Sequence, residues 1–207
     1  IQSGVLLTTG NGSGAVGPNS SGSFTANSPA TPSVATDPHL NAIIPGATPL
    51  PTNGVVLEFD FIPQGDSVIF NYMFGSDEYP EWVDAFVDAG IVFVNGVNYA
   101  LFNHDPMHPL SVVSQNLQAG YFQDNTGGSL PIEYDGVSKV LTIVAPIIAG
   151  GVNTITIGVP GAPRPSVMAS GIGDSMCEAS NSAARVLSRT TAQPAVRFRL
   201  TFRPSFA

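Results

Sequence analysis

The chain has 207 residues and a mass of 21.4 kDa, enough for one domain with a substantial hydrophobic core. Charged residues make up only 11% of it, and it contains 22 Gly and 18 Pro, a composition that excludes coiled coils and helical bundles. The formal net charge of -8 argues against nucleic acid as a partner, because an acidic protein repels the phosphate backbone.

The charge is divided unevenly along the chain. Residues 1–160 contain thirteen acidic residues and one lysine, a net charge of -12. Residues 161–207 contain two acidic residues and six arginines, a net charge of +4. The long acidic part is expected to attract cations or a basic partner, and the short basic part is of the opposite sign.

Apolar residues alternate with polar ones over many short segments. After a strand over Val5–Thr8 comes a loop rich in Gly, Ser, Asn and Pro, which ends near residue 54. From there the period is two: Leu57, Phe59 and Phe61 share one face of a predicted strand. Further strands are predicted over Val68–Phe74, Ile91–Val94, Val97–Phe102, Leu110–Val113, Ile132–Tyr134, Val140–Val144 and Val152–Val159.

These strands predict an all-β fold, an antiparallel β-sandwich or jelly roll with long Gly/Ser/Pro-rich loops. Asn95-Gly96 is typical of a type I′ hairpin turn, and only Asn41–Ile44 and Trp82–Val87 suggest helical turns. The uncharged residues 140–163 are long enough to span a membrane. Pro146, the Gly-Gly pair that follows and the many β-branched residues favour two buried strands instead, so no membrane span is expected.

The last segment, residues 195–203, has the pattern of an amphipathic strand. Phe198, Leu200 and Phe202 alternate with polar residues, and Arg197, Arg199 and Arg203 give the polar face a positive charge. Such a strand can add to the sheet of another copy, which would bring its arginines near the acidic part of that copy. The alternative is that it closes the sandwich of its own chain.

Five carboxylates fall within twelve residues between two predicted strands: Asp77, Glu78, Glu81, Asp84 and Asp88. Like charges at this density repel one another, and a bound cation would offset the repulsion. Calcium takes six to eight oxygen ligands and suits such a bend, although the spacing is not that of an EF-hand. The sequence therefore suggests a calcium site, and the alternative is a solvated acidic loop without an ion.

Three aromatic residues lie in the same acidic bend. Tyr79, Trp82 and Phe86 could form a platform on which a sugar ring stacks. The alternative is that Trp82, the single tryptophan, packs over the edge of the sandwich.

The bend also carries a family resemblance. Asn71-Tyr-Met-Phe-Gly-Ser-Asp-Glu-Tyr-Pro-Glu-Trp82, followed by Phe86-Val-Asp88, resembles the signature of the choice-of-anchor L domain, in which F-G-S-E-E-Y-P-E-F precedes F-N-D. Other blocks resemble the family in the same order: Ser3–Gly10, Gly17–Gly22, Asp37–Leu40, Val56–Pro63, Tyr121–Asn125, Tyr134–Val137 and Asn153–Val159.

The resemblance covers about residues 1–159 and implies a bacterial secreted or surface-displayed β-rich module without an established enzymatic activity. By position, Glu78, Glu81 and Asp88 match acidic residues of the family. Asp77 stands where Glu is usual, and Asp84 stands where a small polar residue is more common. We therefore interpret residues 1–159 as one β-sandwich domain, and residues 160–207 as a divergent tail packed on the same or a neighbouring domain.

Together these features predict an extracellular, non-enzymatic structural or adhesion module. It would associate with copies of itself, or with another component of the cell surface or matrix, through addition of the last strand. A carbohydrate-binding module that uses Tyr79 and Trp82 is the alternative. A hydrolase is disfavoured, because the sequence offers no convincing acid–base pair.

Overall fold

The computed structural model describes residues 4–9, 12–20, 53–161, 166–171, 176–180, 183–187 and 199–200. The predicted all-β class is confirmed, because the described residues form antiparallel sheets with very little helix. The predictions for Asn41–Ile44, Arg197 and Arg203 fall outside the described residues.

One sheet has six strands. In sheet order they are β1 (Val5–Thr8), β10 (Ser166–Gly171), β3 (Ser67–Ser76), β7 (Gly136–Ser138) and β6 (Phe122–Asp124), and β8 (Leu141–Pro146) also pairs with β3. The other large sheet has five: β13 (Arg199–Leu200), β2 (Asn53–Phe61), β9 (Asn153–Gly161), β4 (Ile91–Val94) and β5 (Val97–Asn98). A separate pair joins β11 (Met176–Ser180) to β12 (Ala183–Leu187).

The two large sheets share one hydrophobic core, which makes the arrangement a sandwich. The six-stranded sheet contributes Phe70, Tyr72 and Phe74 of β3, and all three are buried. Alternate residues of β2 and β9 face them from the other sheet. The period of two read from the sequence is therefore the period of burial, since side chains of a strand alternate between its two faces.

Two of the predicted strands are wrong. Leu110–Val113 and Ile132–Tyr134 each contribute only a single bridge to the described structure, Ala89 with Ser111 and Val16 with Ile132. Part of the physical reason is that side-chain amides, rather than a paired strand, satisfy some of the carbonyls in and beside these segments. Asn116 donates to the carbonyls of Pro109 and Ser111, and Asn125 donates to the carbonyls of Ile132 and Tyr134, all at 2.8–2.9 Å.

The predicted hairpin is confirmed, but its second strand is shorter than expected. Asn95 and Gly96 have φ angles of 50° and 82°, as a type I′ turn requires. The strand β5 ends at Asn98, whose side-chain oxygen accepts from the backbone N–H of Ala100 at 3.0 Å. A 3-10 turn follows at Phe102–His104, and the short helix α1 covers Ser114–Gln118.

Strands from the last quarter of the chain lie among the earlier ones. The strand β10 occupies the position between β1 and β3, and β13 pairs with β2 at the edge of the five-stranded sheet. None of the helices in the part of the chain that the structure describes is long and apolar enough to cross a membrane.

Candidate functional site

The acidic bend begins where β3 ends and leads into β4. Its backbone forms hydrogen-bonded turns: Trp82 N–H donates to the carbonyl of Glu78, and the N–H groups of Ala85 and Phe86 donate to that of Trp82, each at 2.9 Å. This agrees with the helical turn predicted around Trp82. The turns carry the middle of the bend outward and return the chain to the core at Asp88.

The bend separates its five carboxylates into two groups. Asp77, Glu78 and Asp88 are at most 1% exposed, whereas Glu81 and Asp84 lie on the surface. The Asp84 carboxylate accepts hydrogen bonds from the backbone N–H of Ser114, at 2.9 Å, and from the Ser114 hydroxyl, both at the start of α1. The structure therefore does not bring the five predicted calcium ligands together.

A second segment joins the buried group. The β3–β7 ladder pairs Ser76 with Gly136, so the residues just before β7 lie beside the residues just after β3. Asp135 is fully buried, Glu133 is 5% exposed, and the backbone N–H of Asp135 donates to Asp77 Oδ1 at 3.3 Å. Sequence analysis missed both acids as site residues, because nothing local indicates this pairing across sixty residues.

Short polar contacts hold the buried carboxylates in place. The Ser76 hydroxyl donates to Asp88 Oδ2 at 2.6 Å and accepts from the backbone N–H of Glu78 at 3.0 Å. From the N-terminal part of the chain, Asn19 donates to Asp135 Oδ1, and the Ser20 hydroxyl donates to Glu133 Oε1 at 2.8 Å. We call Asp77, Glu78, Asp88, Glu133 and Asp135 the buried acid cluster.

Burial and the neighbouring acids make ionisation of Asp77 in the cluster unfavourable. Burial, followed by the negative charge of Asp135, raises the pKa of Asp77 to about 8; Asp88 and Glu133 act in the same direction. The Asp135 backbone N–H opposes the shift only in part. Asp77 Oδ2 is buried and has no hydrogen-bond partner among the described residues. At neutral pH and without a cation, Asp77 therefore keeps its proton.

Few positive groups are available to the cluster in the described part of the chain. Among the residues whose side chains the structure describes, Lys139 is the only Lys or Arg, and it is exposed. Among the described residues, no three His, Cys, Asp or Glu side chains are already grouped as a metal site. The cluster is thus a set of buried oxygens held by hydrogen-bond donors rather than a preformed cage.

Of the aromatic residues of the bend, Tyr79 and Trp82 lie in different surroundings. Tyr79 packs against the core and stacks on Phe122, with ring centroids 6.3 Å apart and planes at 28°. Trp82 is 38% exposed and lies beside Phe86, with centroids 5.6 Å apart. The structure therefore does not bring Tyr79 and Trp82 together as one exposed platform.

The terminal strand pairs within its own chain. Arg199 lies at the register position opposite Asp60, and Leu200 lies opposite Phe59, a core residue of β2. This is the arrangement in which the last strand closes its own sheet. On β2, Asp60 already accepts a hydrogen bond of 2.6 Å from the Thr154 hydroxyl of β9.

The comparisons with known proteins agree with the resemblance described above. A family model of the choice-of-anchor L domain matches residues 1–171. The match extends past the predicted limit at residue 159 and includes β10. No curated protein and no solved structure shows significant similarity to the chain.

Proposed function

The chain belongs to the choice-of-anchor L domain family, whose members are modules of bacterial secreted or cell-surface proteins, and from this premise we propose that it is a non-enzymatic structural module that assembles by exchange of its last strand. The observation that carries the proposal is the position of β13. It forms one edge of the five-stranded sheet, where it pairs with β2.

An edge strand is suited to exchange between copies, because it pairs with a neighbouring strand on one side only. The contact between β13 and β2 is the same whether both belong to one molecule or to two, so exchange requires no new interface. Repeated head to tail, such an exchange produces an open chain of molecules. Leu200 and Phe59 are register partners, so an apolar pair occupies this position of the ladder in either case.

The charge distribution supports association between copies. The net charge of residues 1–160 is -12 and that of residues 161–207 is +4, so the tail of one copy is attracted to the acidic part of another. Arg199 lies opposite Asp60 in the register, which places opposite charges in the same pair. We expect assembly to weaken as salt concentration rises, because exposed charges are screened.

Burial supports a non-enzymatic role. Asp77, Asp88 and Asp135 are at most 1% exposed, so a substrate cannot reach them as general acids or bases. The exposed Asp84 is engaged with Ser114 instead. The partner that we propose is therefore another copy of the chain or a further component of the cell surface.

The test is the mass of the particle in solution, measured by light scattering and sedimentation. The full chain should form oligomers or fibres, Leu200→Asp should prevent them, and Arg199→Glu should weaken them more than Arg199→Lys does. Deleting residues 194–207 should give monomers that bind a synthetic peptide of that segment but not a scrambled one. A monomeric full chain, or a deletion variant that forms the same oligomer, would contradict the proposal.

Carbohydrate binding is a second candidate, favoured by the exposure of Trp82 beside Phe86. It predicts binding on a glycan array that Trp82→Ala abolishes and that Leu200→Asp leaves unchanged. Tyr79 would contribute little, because its ring is packed against Phe122. No glycan binding by the full chain would remove this candidate.

A further inference from the structure

Asp77 is the feature of the buried acid cluster that most needs a ligand. Its side chain is 1% exposed, and Oδ2 has no hydrogen-bond partner among the described residues. Asp135, Asp88 and Glu133 are close enough to act on it electrostatically. An oxygen with this much negative charge around it and no donor is suited to a cation.

The composition of the cluster indicates which cation. The groups of the cluster that could coordinate an ion are all oxygens: five carboxylates and the hydroxyls of Ser76 and Ser20. It includes no Cys or His, the soft or nitrogen ligands that zinc and copper prefer. Calcium binds six to eight oxygens in flexible geometry and tolerates ligands from separate segments.

We propose that the buried acid cluster binds calcium, with Asp77, Asp88 and Asp135 as the principal ligands and Glu78 and Glu133 beside them. This set differs from the one predicted from the sequence, because Glu81 and Asp84 are replaced by residues before β7. The ion would link the end of β3, the start of β4 and the segment before β7.

Binding requires a limited rearrangement. The carboxylates are not grouped around one point in the structure, since Ser76 holds Asp88 and Asn19 holds Asp135. Rotation of these carboxylates toward Asp77 would exchange two hydrogen bonds for shared coordination of the ion. The rearrangement that the proposal requires is one of side chains, in which the backbone bond from Asp135 to Asp77 remains.

Calcium binding goes beyond the proposed assembly and does not depend on it. The experiment is isothermal titration of calcium into the full chain after chelator treatment, with melting curves recorded in calcium and in chelator. Calcium at 100 times its dissociation constant should raise the melting temperature by about 5–10 °C. Magnesium, which dehydrates reluctantly and demands octahedral geometry, should give a smaller shift.

Matched variants separate the two ligand sets. Asp77→Asn and Asp135→Asn keep the shape of the side chain and should weaken calcium binding by about tenfold or more. Glu81→Gln and Asp84→Asn change acids of the same bend and should leave the affinity within about twofold of wild type. Melting curves in chelator check that each variant folds, and Glu133→Gln replaces any variant that does not.

Identical melting curves in calcium and in chelator, with no heat of binding, would overturn the proposal. So would loss of binding in Glu81→Gln with binding retained in Asp77→Asn, which would favour the exposed acids. Particle mass is measured in the same samples. Calcium binding by a monomer would refute strand exchange alone, and oligomers in samples that bind no calcium would refute the calcium site alone.

Discussion

The inner and outer parts of the acidic bend have similar composition and opposite surroundings. Asp77 and Asp88, at its two ends, are fully enclosed, while Glu81 and Asp84, in its middle, face solvent. The difference arises from the β3–β7 ladder, which places Glu133–Asp135 against the ends of the bend. Density of charge along the sequence therefore does not show which acids are buried together, whereas the register between distant strands does.

The largest loss of stability is expected where the acidic bend meets the segment at the start of β7. A Cβ at Gly136 would lie 2.3 Å from Cγ of Tyr79, so Gly136→Ala must displace that ring from its contact with Phe122. We expect a loss of about 3 kcal/mol in the free energy of unfolding, measured by urea denaturation. The packing of Tyr79 at the inner part of the bend would be lost, while the exposed outer part around Glu81 and Asp84 would be unaffected.

Gly65→Ala is the matched control, because a Cβ at Gly65 meets no heavy atom within 4 Å. Its free energy of unfolding should stay within about 0.5 kcal/mol of wild type. Equal effects of the two substitutions would show that the close approach of Tyr79 to Gly136 does not determine the stability of the bend.

A smaller loss of stability is expected when the Ser76 hydroxyl, which bonds residues at both ends of the bend, is removed. Ser76→Ala removes the hydrogen bond to Asp88 and the acceptor for the N–H of Glu78 in a fully buried position. Loss of a bond to a charged group should lower the free energy of unfolding by about 1.5–3 kcal/mol. Ser67→Ala, at the exposed start of β3, should change it by less than about 0.5 kcal/mol, and a similar loss in both variants would contradict the assigned role of Ser76.

Much of the fold can be predicted from the sequence because alternation is a local signal. In β2 and β3 the residues on the predicted inner face are buried or partly buried, as the period of two predicts, and Asn95-Gly96 has the positive φ angles typical of a type I′ turn. Prediction fails where a side chain, rather than a neighbouring strand, supplies the hydrogen bonds. The amides of Asn116 and Asn125 satisfy carbonyls five and nine residues away that would otherwise require a strand, and the residue type alone does not indicate this.

The site shows the same limit. The sequence identified the bend and three members of the buried acid cluster, because clustered acids are visible along the chain. It did not identify Glu133 and Asp135, since their position depends on the pairing of Ser76 with Gly136. Nor could the sequence predict that Tyr79 is packed while Trp82 is exposed. Tyr79 is covered by Phe122, which belongs to a strand about forty residues further along the chain.

The smallest loss of stability is expected from substitutions in the outer part of the bend. Asp84 has a φ of 65°, which Asp tolerates better than Ala, and its carboxylate satisfies the N–H of Ser114. Asp84→Ala should therefore cost about 1 kcal/mol by urea denaturation. Glu81→Ala, an exposed neighbour without such a contact, should cost less than about 0.5 kcal/mol. A loss in Asp84→Ala as large as that in Ser76→Ala would mean that the bend is held from its outer part, and the buried acid cluster would then be a consequence of the turn rather than its anchor.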